Sequence, residues 1–207
     1  MKKLFYLLII NSLFISCTND NDGTKQRLPN ITTEGKNTFG CKTDGIVFLP
    51  KSKGGFSVGY RSPILYANYT HITYKYSNFE PGYYLRISAY NELTTKDITI
   101  EMNKSIEPLI EGKTYQIKLK NSGDISSEYE YWGKTVDTGN GTGFIPVYSY
   151  STTNDVGGEI KILKLDLINK IISGTFWFDC KNDDLDVNEV AKITEGRFDL
   201  KFQDYIN

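Results

Sequence analysis

Five aromatic residues bracket a single glycine-rich loop. Tyr129, Tyr131 and Trp132 precede the run GNGTG (139–143), and Tyr148 and Tyr150 follow it. A loop flanked by exposed tyrosine and tryptophan offers flat ring faces beside polar tips, the combination that stacks on a sugar ring, so these five form a candidate glycan platform. The same residue types are ordinary strand formers, so burial in a core is the competing reading. The loop lacks the Lys-Ser/Thr pair that a phosphate-cradling loop requires, and it reads as a turn.

A second constellation is acidic. In DCKNDDLDVNE (179–189), Asp184, Asp186 and Asn188, with Glu195 further on, have the spacing of alternate ligands in a calcium loop. Calcium takes six to eight hard oxygen ligands, and alternate carboxylates on a tight loop supply several of them. Glu189 stands where such a loop needs glycine for its sharp turn, and the flanks read as strands, so a solvated hairpin tip competes with the metal reading. Calcium is therefore the only cofactor that the sequence raises.

Catalytic sets are thin. The chain has one histidine, His71, inside the strand-like YTHITY, and no nucleophile elbow to pair with it. Cysteine and histidine are too scattered for zinc. Carboxylate pairs such as Glu128 with Glu130, or Asp97 with Glu101, could serve a hydrolase. Glycoside hydrolysis needs two acids about 5–5.5 or 6.5–9.5 Å apart across a cleft, and spacing along a strand does not supply that. Arg197 and Asp199, two apart on one strand, read as a structural ion pair. The balance leans away from an enzyme.

The amino terminus carries its own chemistry. A basic head (Lys2, Lys3) leads into a mostly apolar stretch from Leu4 to Ile15, shorter than the roughly 20 residues that cross a bilayer. That pattern reads as a cleaved export signal. Its end, Phe14-Ile15-Ser16-Cys17, resembles a bacterial lipobox, which makes Cys17 the expected lipidation site. Each buried methylene contributes about 0.8 kcal/mol and one chain binds only marginally, so two or three chains on one residue give durable anchoring. The polar run TNDNDG after Cys17 is expected to act as a flexible tether and resembles the export signal of surface-displayed lipoproteins. The expected location is the cell envelope, as an outer-membrane lipoprotein exposed at the surface.

Loss of residues 1–16 removes two lysines and no acid, so 22 basic residues face 25 acidic ones, a formal charge of −3. Nucleic-acid binding calls for a clustered basic face, which is missing here. The expected partners are the membrane, through the lipid alone, and a glycan or another protein.

The elements that must position these residues are strands. Hydrophobic content is 39% and aromatic content 14%, enough to core one domain. Past Asn37, short β-branched and aromatic runs alternate with Gly, Asn, Asp, Ser and Pro: TFGC (38–41), IVFL (46–49), FSVGY (56–60), YTHITYKY (69–76), YYLRISAYN (83–91), DITIEM (97–102) and TYQIKLK (114–120). Thr43-Asp44-Gly45 reads as a tight hairpin turn. GEIKILKLDLINKIISGTFWFDC (158–180) reads as two long strands joined near Ile168-Asn169-Lys170, with a phase change that predicts a bulge near Ile162. Gly196 is expected to mark a second bulge. Only residues 103–111 hint at helix. Roughly ten short strands predict a single antiparallel β-sandwich, with a small calycin-like β-barrel as the alternative. Cys41 and Cys180 fall in phase with strand aromatics, so they could meet in the core as a disulfide or remain two buried thiols.

Three stretches, LPNITTEGKNTFGCKTDGIVFLP (28–50), LDLINKIISGTFWF (165–178) and ITEGRFDLKF (193–202), resemble a family of Bacteroidetes-type lipoproteins with an NTFGC…SGTF…GRFD pattern and no assigned function. The resemblance implies an all-β domain and implies that Leu28 to Lys36 packs against it. It carries no site residues. The expected organisation is a signal peptide at 1–16, the lipidated cysteine and tether at 17–36, and an all-β domain at 37–207. The expected role is a non-catalytic binding or structural module of the envelope, with glycan binding near 129–150 and carboxylate-dependent hydrolysis as alternatives.

Overall fold

The computed structural model describes residues 26–54, 63–75, 77–121 and 123–204. The expected signal peptide at 1–16, Cys17 and the run at 56–60 lie outside the described residues. Every regular element among those residues is a strand. The first hairpin pairs β1 (Thr38–Thr43) with β2 (Ile46–Phe48). Its turn residues Asp44 and Gly45 have φ of 50° and 82°. Two successive left-handed residues make the turn whose twist matches a two-residue hairpin, which is why an Asp-Gly pair stands there.

A meander follows: β3 (Leu65–Ile72), β4 (Gly82–Asn91) and β5 (Lys96–Ser105). Then come β6 (Thr114–Ile117), β7 (Ile125–Trp132), the two-residue pair β8 (Val136–Asp137) and β9 (Gly143–Phe144), and β10 (Val147–Ser151). Residues 103–111 hold no helix. β5 runs on to Ser105, and the loop after it is pinned where the Leu109 N–H donates to the Tyr69 hydroxyl at 2.9 Å. Burial pushes that phenol up to about 12, against the bond from Leu109.

The carboxyl-terminal third is β11 (Gly158–Asp166), β12 (Ile171–Asn182) and β13 (Val190–Lys201). The predicted bulge is present, because the β11–β12 register slips between Ile162 and Lys164. The second bulge is present at Gly196 as well, which with Glu195 faces the single residue Cys41 of β1. Against β12 the register slips at Thr194 and Glu195, and Glu195 takes a φ of 52°. Gly196 is required for another reason: a Cβ there would lie 2.5 Å from the Phe176 ring.

In space the strands run β2-β1-β13-β12-β11-β6-β7-β5-β4-β3, and β10 lies off that path, pairing with both β7 and β12. Neighbours are antiparallel apart from one parallel contact between Ile117 and Ile125. The edge strands β2 and β3 do not pair, so the sheet folds over into a β-sandwich instead of closing as a barrel. The inner faces meet in one apolar core that includes Phe39, Ile98, Ile100, Ile172, Phe178 and Leu200. Alternation at period two drives this, since each strand turns one row of side chains inward.

Two expectations need correction. Cys41 and Cys180 are free thiols in the core, not a disulfide. β13 runs between their strands, and two interstrand spacings, about 9.5 Å, exceed the distance a disulfide can bridge. Burial pushes both thiols well above their ordinary pKa.

Arg197 and Asp199 do not pair with each other; both hold the amino-terminal segment. Asp199 is 1% exposed. Its carboxylate accepts hydrogen bonds from Thr32 Oγ1 at 2.6 Å, Gly35 N at 2.7 Å, Glu34 N at 3.0 Å and Lys36 N at 3.2 Å. Arg197 Nη1 donates to the Pro29 carbonyl at 3.5 Å, and its Nη2 lies 3.8 Å from Glu195 Oε2. The described stretch 26–36 is therefore a strap docked on β13.

Candidate functional site

On β7 the odd residues Ile125, Ser127, Tyr129 and Tyr131 face inward, while Glu128, Glu130 and Trp132 face out. β10 pairs so that Tyr148 stands opposite Tyr131 and Tyr150 opposite Tyr129. Register alone thus places four tyrosines on one face. Tyr131 stacks on Tyr148 with ring centroids 4.7 Å apart, and Tyr129 lies 5.8 Å from Tyr150. They grade from core to solvent: Tyr129 is 3% exposed, Tyr150 4% and Tyr148 40%. Trp132 is not part of the group. It turns to the opposite face and meets Tyr90 edge-on at 5.7 Å.

Tyr129, Tyr131 and Tyr150 line a cavity of about 440 Å³ at one end of the sandwich, completed by Asp44, Lys96, Glu189, Val190 and Ala191. Three connections converge there: the β1–β2 turn, the start of β5 and the loop entering β13. Asp44 is fixed by reciprocal bonds to β13. Its N–H donates to the Lys192 carbonyl at 2.8 Å, and its Oδ1 accepts the Lys192 N–H at 2.9 Å. Glu189 is held by the Tyr150 hydroxyl, which donates to its Oε2 at 2.9 Å.

Lys96 is in phase with the buried Ile98 and Ile100, so it points inward at the mouth of the sandwich. Its Nζ donates to Thr43 Oγ1 at 3.4 Å and lies 5.8 Å from the centroid of the Tyr129 ring. Burial pushes the Tyr129 phenol above the ordinary tyrosine range, with the Asp44 charge adding to it. Burial raises Tyr150 in the same way, helped by its bonds to Glu189 and Tyr131. Both hydroxyls therefore stay protonated donors at neutral pH. The cleft offers ring faces, neutral hydroxyl donors, one ammonium and two carboxylate acceptors, a set suited to a hydroxylated ring.

The remaining candidates disperse. Asp184 and Asp186 lie in the β12–β13 loop, where Asp184 Oδ1 accepts the Asp186 N–H at 3.1 Å. Glu195 is well inside β13 and pairs with Lys42 Nζ at 2.5 Å. Strand extension carries it away from Asp184, Asp186 and Asn188, and among the described residues no three acidic, histidine or cysteine side chains gather around a common cation position. His71 is an exposed strand residue whose ring stacks on Tyr83 at 4.2 Å. Asp97, Glu101, Glu128 and Glu130 share the outer face of β5 and β7. Asp97 is pushed up to about 6, chiefly by burial and then by Glu130, against a bond from Thr99. Glu101 is neutralised by Arg86 and Lys120.

Sequence reasoning found three of the lining tyrosines and missed Asp44, Lys96 and Glu189 as site residues. Lys96 had a legible signal, a cation in phase with two isoleucines on a clean strand. Asp44 and Glu189 had none, since their places depend on which loops the folded sheet brings together.

No protein-family model, curated protein sequence or solved structure matches this chain.

Proposed function

We propose that this protein is an envelope lipoprotein, anchored by acyl chains on Cys17, whose β-sandwich binds a glycan in the tyrosine cleft without reacting with it. The observation that carries the binding reading is the convergence of Tyr129, Tyr131 and Tyr150 on one cavity beside Asp44, Lys96 and Glu189. Ring stacking supplies affinity, and protonated phenols with carboxylate acceptors supply orientation.

The non-catalytic part rests on where the acids are. Each carboxylate of the cleft is held in place through one oxygen, Glu189 by Tyr150 and Asp44 by the β13 backbone. The acid raised towards neutrality, Asp97, does not line the cavity. A hydrolase needs one such acid at the scissile bond.

Anchoring favours a site close to the membrane. The strap is bonded to β13 from Pro29 onward, and the chain between Cys17 and Pro29 spans at most about 40 Å when fully extended. Isothermal titration of the full chain against a panel of polysaccharides tests the binding reading. At least one member should give a saturable heat whose affinity falls in Tyr131→Ala; flat heats across the panel overturn it.

A further inference from the structure

We infer that the ligand of the tyrosine cleft is an acidic sugar, one whose carboxylate pairs with Lys96 while its hydroxyls bond to Asp44 and Glu189. This rests on the glycan reading and specifies it.

Two of the cleft's three charged groups already have partners. Glu189 Oε2 accepts the Tyr150 hydroxyl, and Asp44 Oδ1 accepts the Lys192 N–H. Lys96 is different. An ammonium carries three donors. Its one hydrogen-bond partner among the described residues is Thr43 Oγ1, at the long distance of 3.4 Å, and it forms no ion pair with any described carboxylate.

The contrast with the rest of the surface sharpens this. Lys75 pairs with Glu80 at 2.6 Å, Lys118 with Asp124 at 3.0 Å, Lys170 with Asp204 at 2.6 Å and Lys42 with Glu195 at 2.5 Å. Those pairs sit in solvent, where an ion pair adds little. Lys96 is half-buried against the Tyr129 ring, where a counter-ion matters more, and it has none.

A half-buried cation with unused donors, beside stacking rings, fits a pyranose that carries a carboxylate. The two rim acids do not oppose this. Both are exposed, so water and salt screen their repulsion. Sugar hydroxyls are donors as well as acceptors, and Asp44 and Glu189 are acceptors with lone pairs to spare. A neutral sugar would leave Lys96 uncompensated, and an amino sugar would add a second cation beside it.

The experiment compares a short polygalacturonate, a neutral galactan of matched length and a chitosan oligomer by titration into the full chain. Polygalacturonate should bind at least about tenfold tighter than the galactan, the value of one charge-assisted hydrogen bond. Lys96→Met keeps the apolar stem and should erase that preference, bringing polygalacturonate affinity down to that of the galactan. Lys96→Arg should keep it, and a thermal melt of each variant checks that the fold is intact. Equal affinity for galactan and polygalacturonate, or a preference for chitosan, overturns the acidic-sugar inference and leaves the glycan reading standing. Failure of every glycan removes both.

Discussion

The ring of Tyr131 lies nearly parallel to that of Tyr148, with 18° between the planes and 4.7 Å between centroids. The two residues are cross-strand partners on β7 and β10, so backbone pairing sets the stack. Neighbouring aromatic pairs of this kind are worth about 0.5–1.5 kcal/mol beyond the area they bury. They also create a continuous flat surface that leads from the core-facing Tyr129 to solvent.

Tyr131→Ala and Trp132→Ala should therefore behave differently although the residues are adjacent. The first removes a ring from the cleft and should weaken glycan binding by about tenfold. The second deletes a ring on the opposite face, beside Tyr90, and should leave binding unchanged. Titration of both variants with the same polysaccharide checks this, and equal losses would place the binding surface elsewhere.

The strap gives a prediction in acid. Burial alone would raise the Asp199 carboxyl, but bonds from Thr32, Gly35, Glu34 and Lys36 outweigh it and hold the group below its usual range. A depressed acid contributes stability that is fully present above its unfolded pKa, about 3.9, and is lost as pH falls through the lower folded value. Asp199→Asn should cost about 1.5–3 kcal/mol near neutrality and flatten the acid limb of a Tm-against-pH curve. Limited proteolysis should cut the variant within 26–36 while the parent resists.

Asp97 has the opposite sign. Its folded pKa is raised to about 6, so the folded protein keeps a proton that the unfolded chain has already lost. Stability therefore falls as pH rises from about 3.9 to about 6, and stays reduced above that. Asp97→Asn should raise stability at pH 7 by about 1–2 kcal/mol, discounted for a partly exposed site, and should change nothing below about pH 3.5. Melts at the two pH values measure it.

Lipid anchoring is tested separately. Metabolic labelling with palmitate should mark the chain, and Cys17→Ala should abolish the label and shift the protein from the membrane to the soluble fraction. An unlabelled parent chain, or a Cys17→Ala variant that fractionates identically, removes the anchor.

Local signals in the sequence carried most of the fold. Alternation found β1, β2, β4, β5, β11 and β12, the Asp44–Gly45 turn and the bulge after Ile162, because period-two patterning and turn chemistry are written within a few residues; it did not pick out β7 to β10 as strands. It extended β6 to residue 120, where the structure ends at Ile117 and turns Lys118 and Lys120 towards Asp124 and Glu101. Two failures are non-local and one is local. Cys41 and Cys180 share an inward phase, yet phase does not reveal that β13 lies between them. Trp132 was grouped with Tyr131 by adjacency, although adjacent strand residues face opposite ways. The calcium spacing of Asp184, Asp186, Asn188 and Glu195 presumes a compact loop, and β13 stretches it out.

The account stands most directly on ring contacts in the cleft. The full chain, labelled at its tyrosine rings, is followed by NMR as the tightest-binding polysaccharide is added. Signals of Tyr129, Tyr131, Tyr148 and Tyr150 should shift together and saturate, while Tyr69 and Tyr84, buried at the other end of the sandwich, stay in place. Saturable binding that leaves all four cleft tyrosines unmoved would contradict the account.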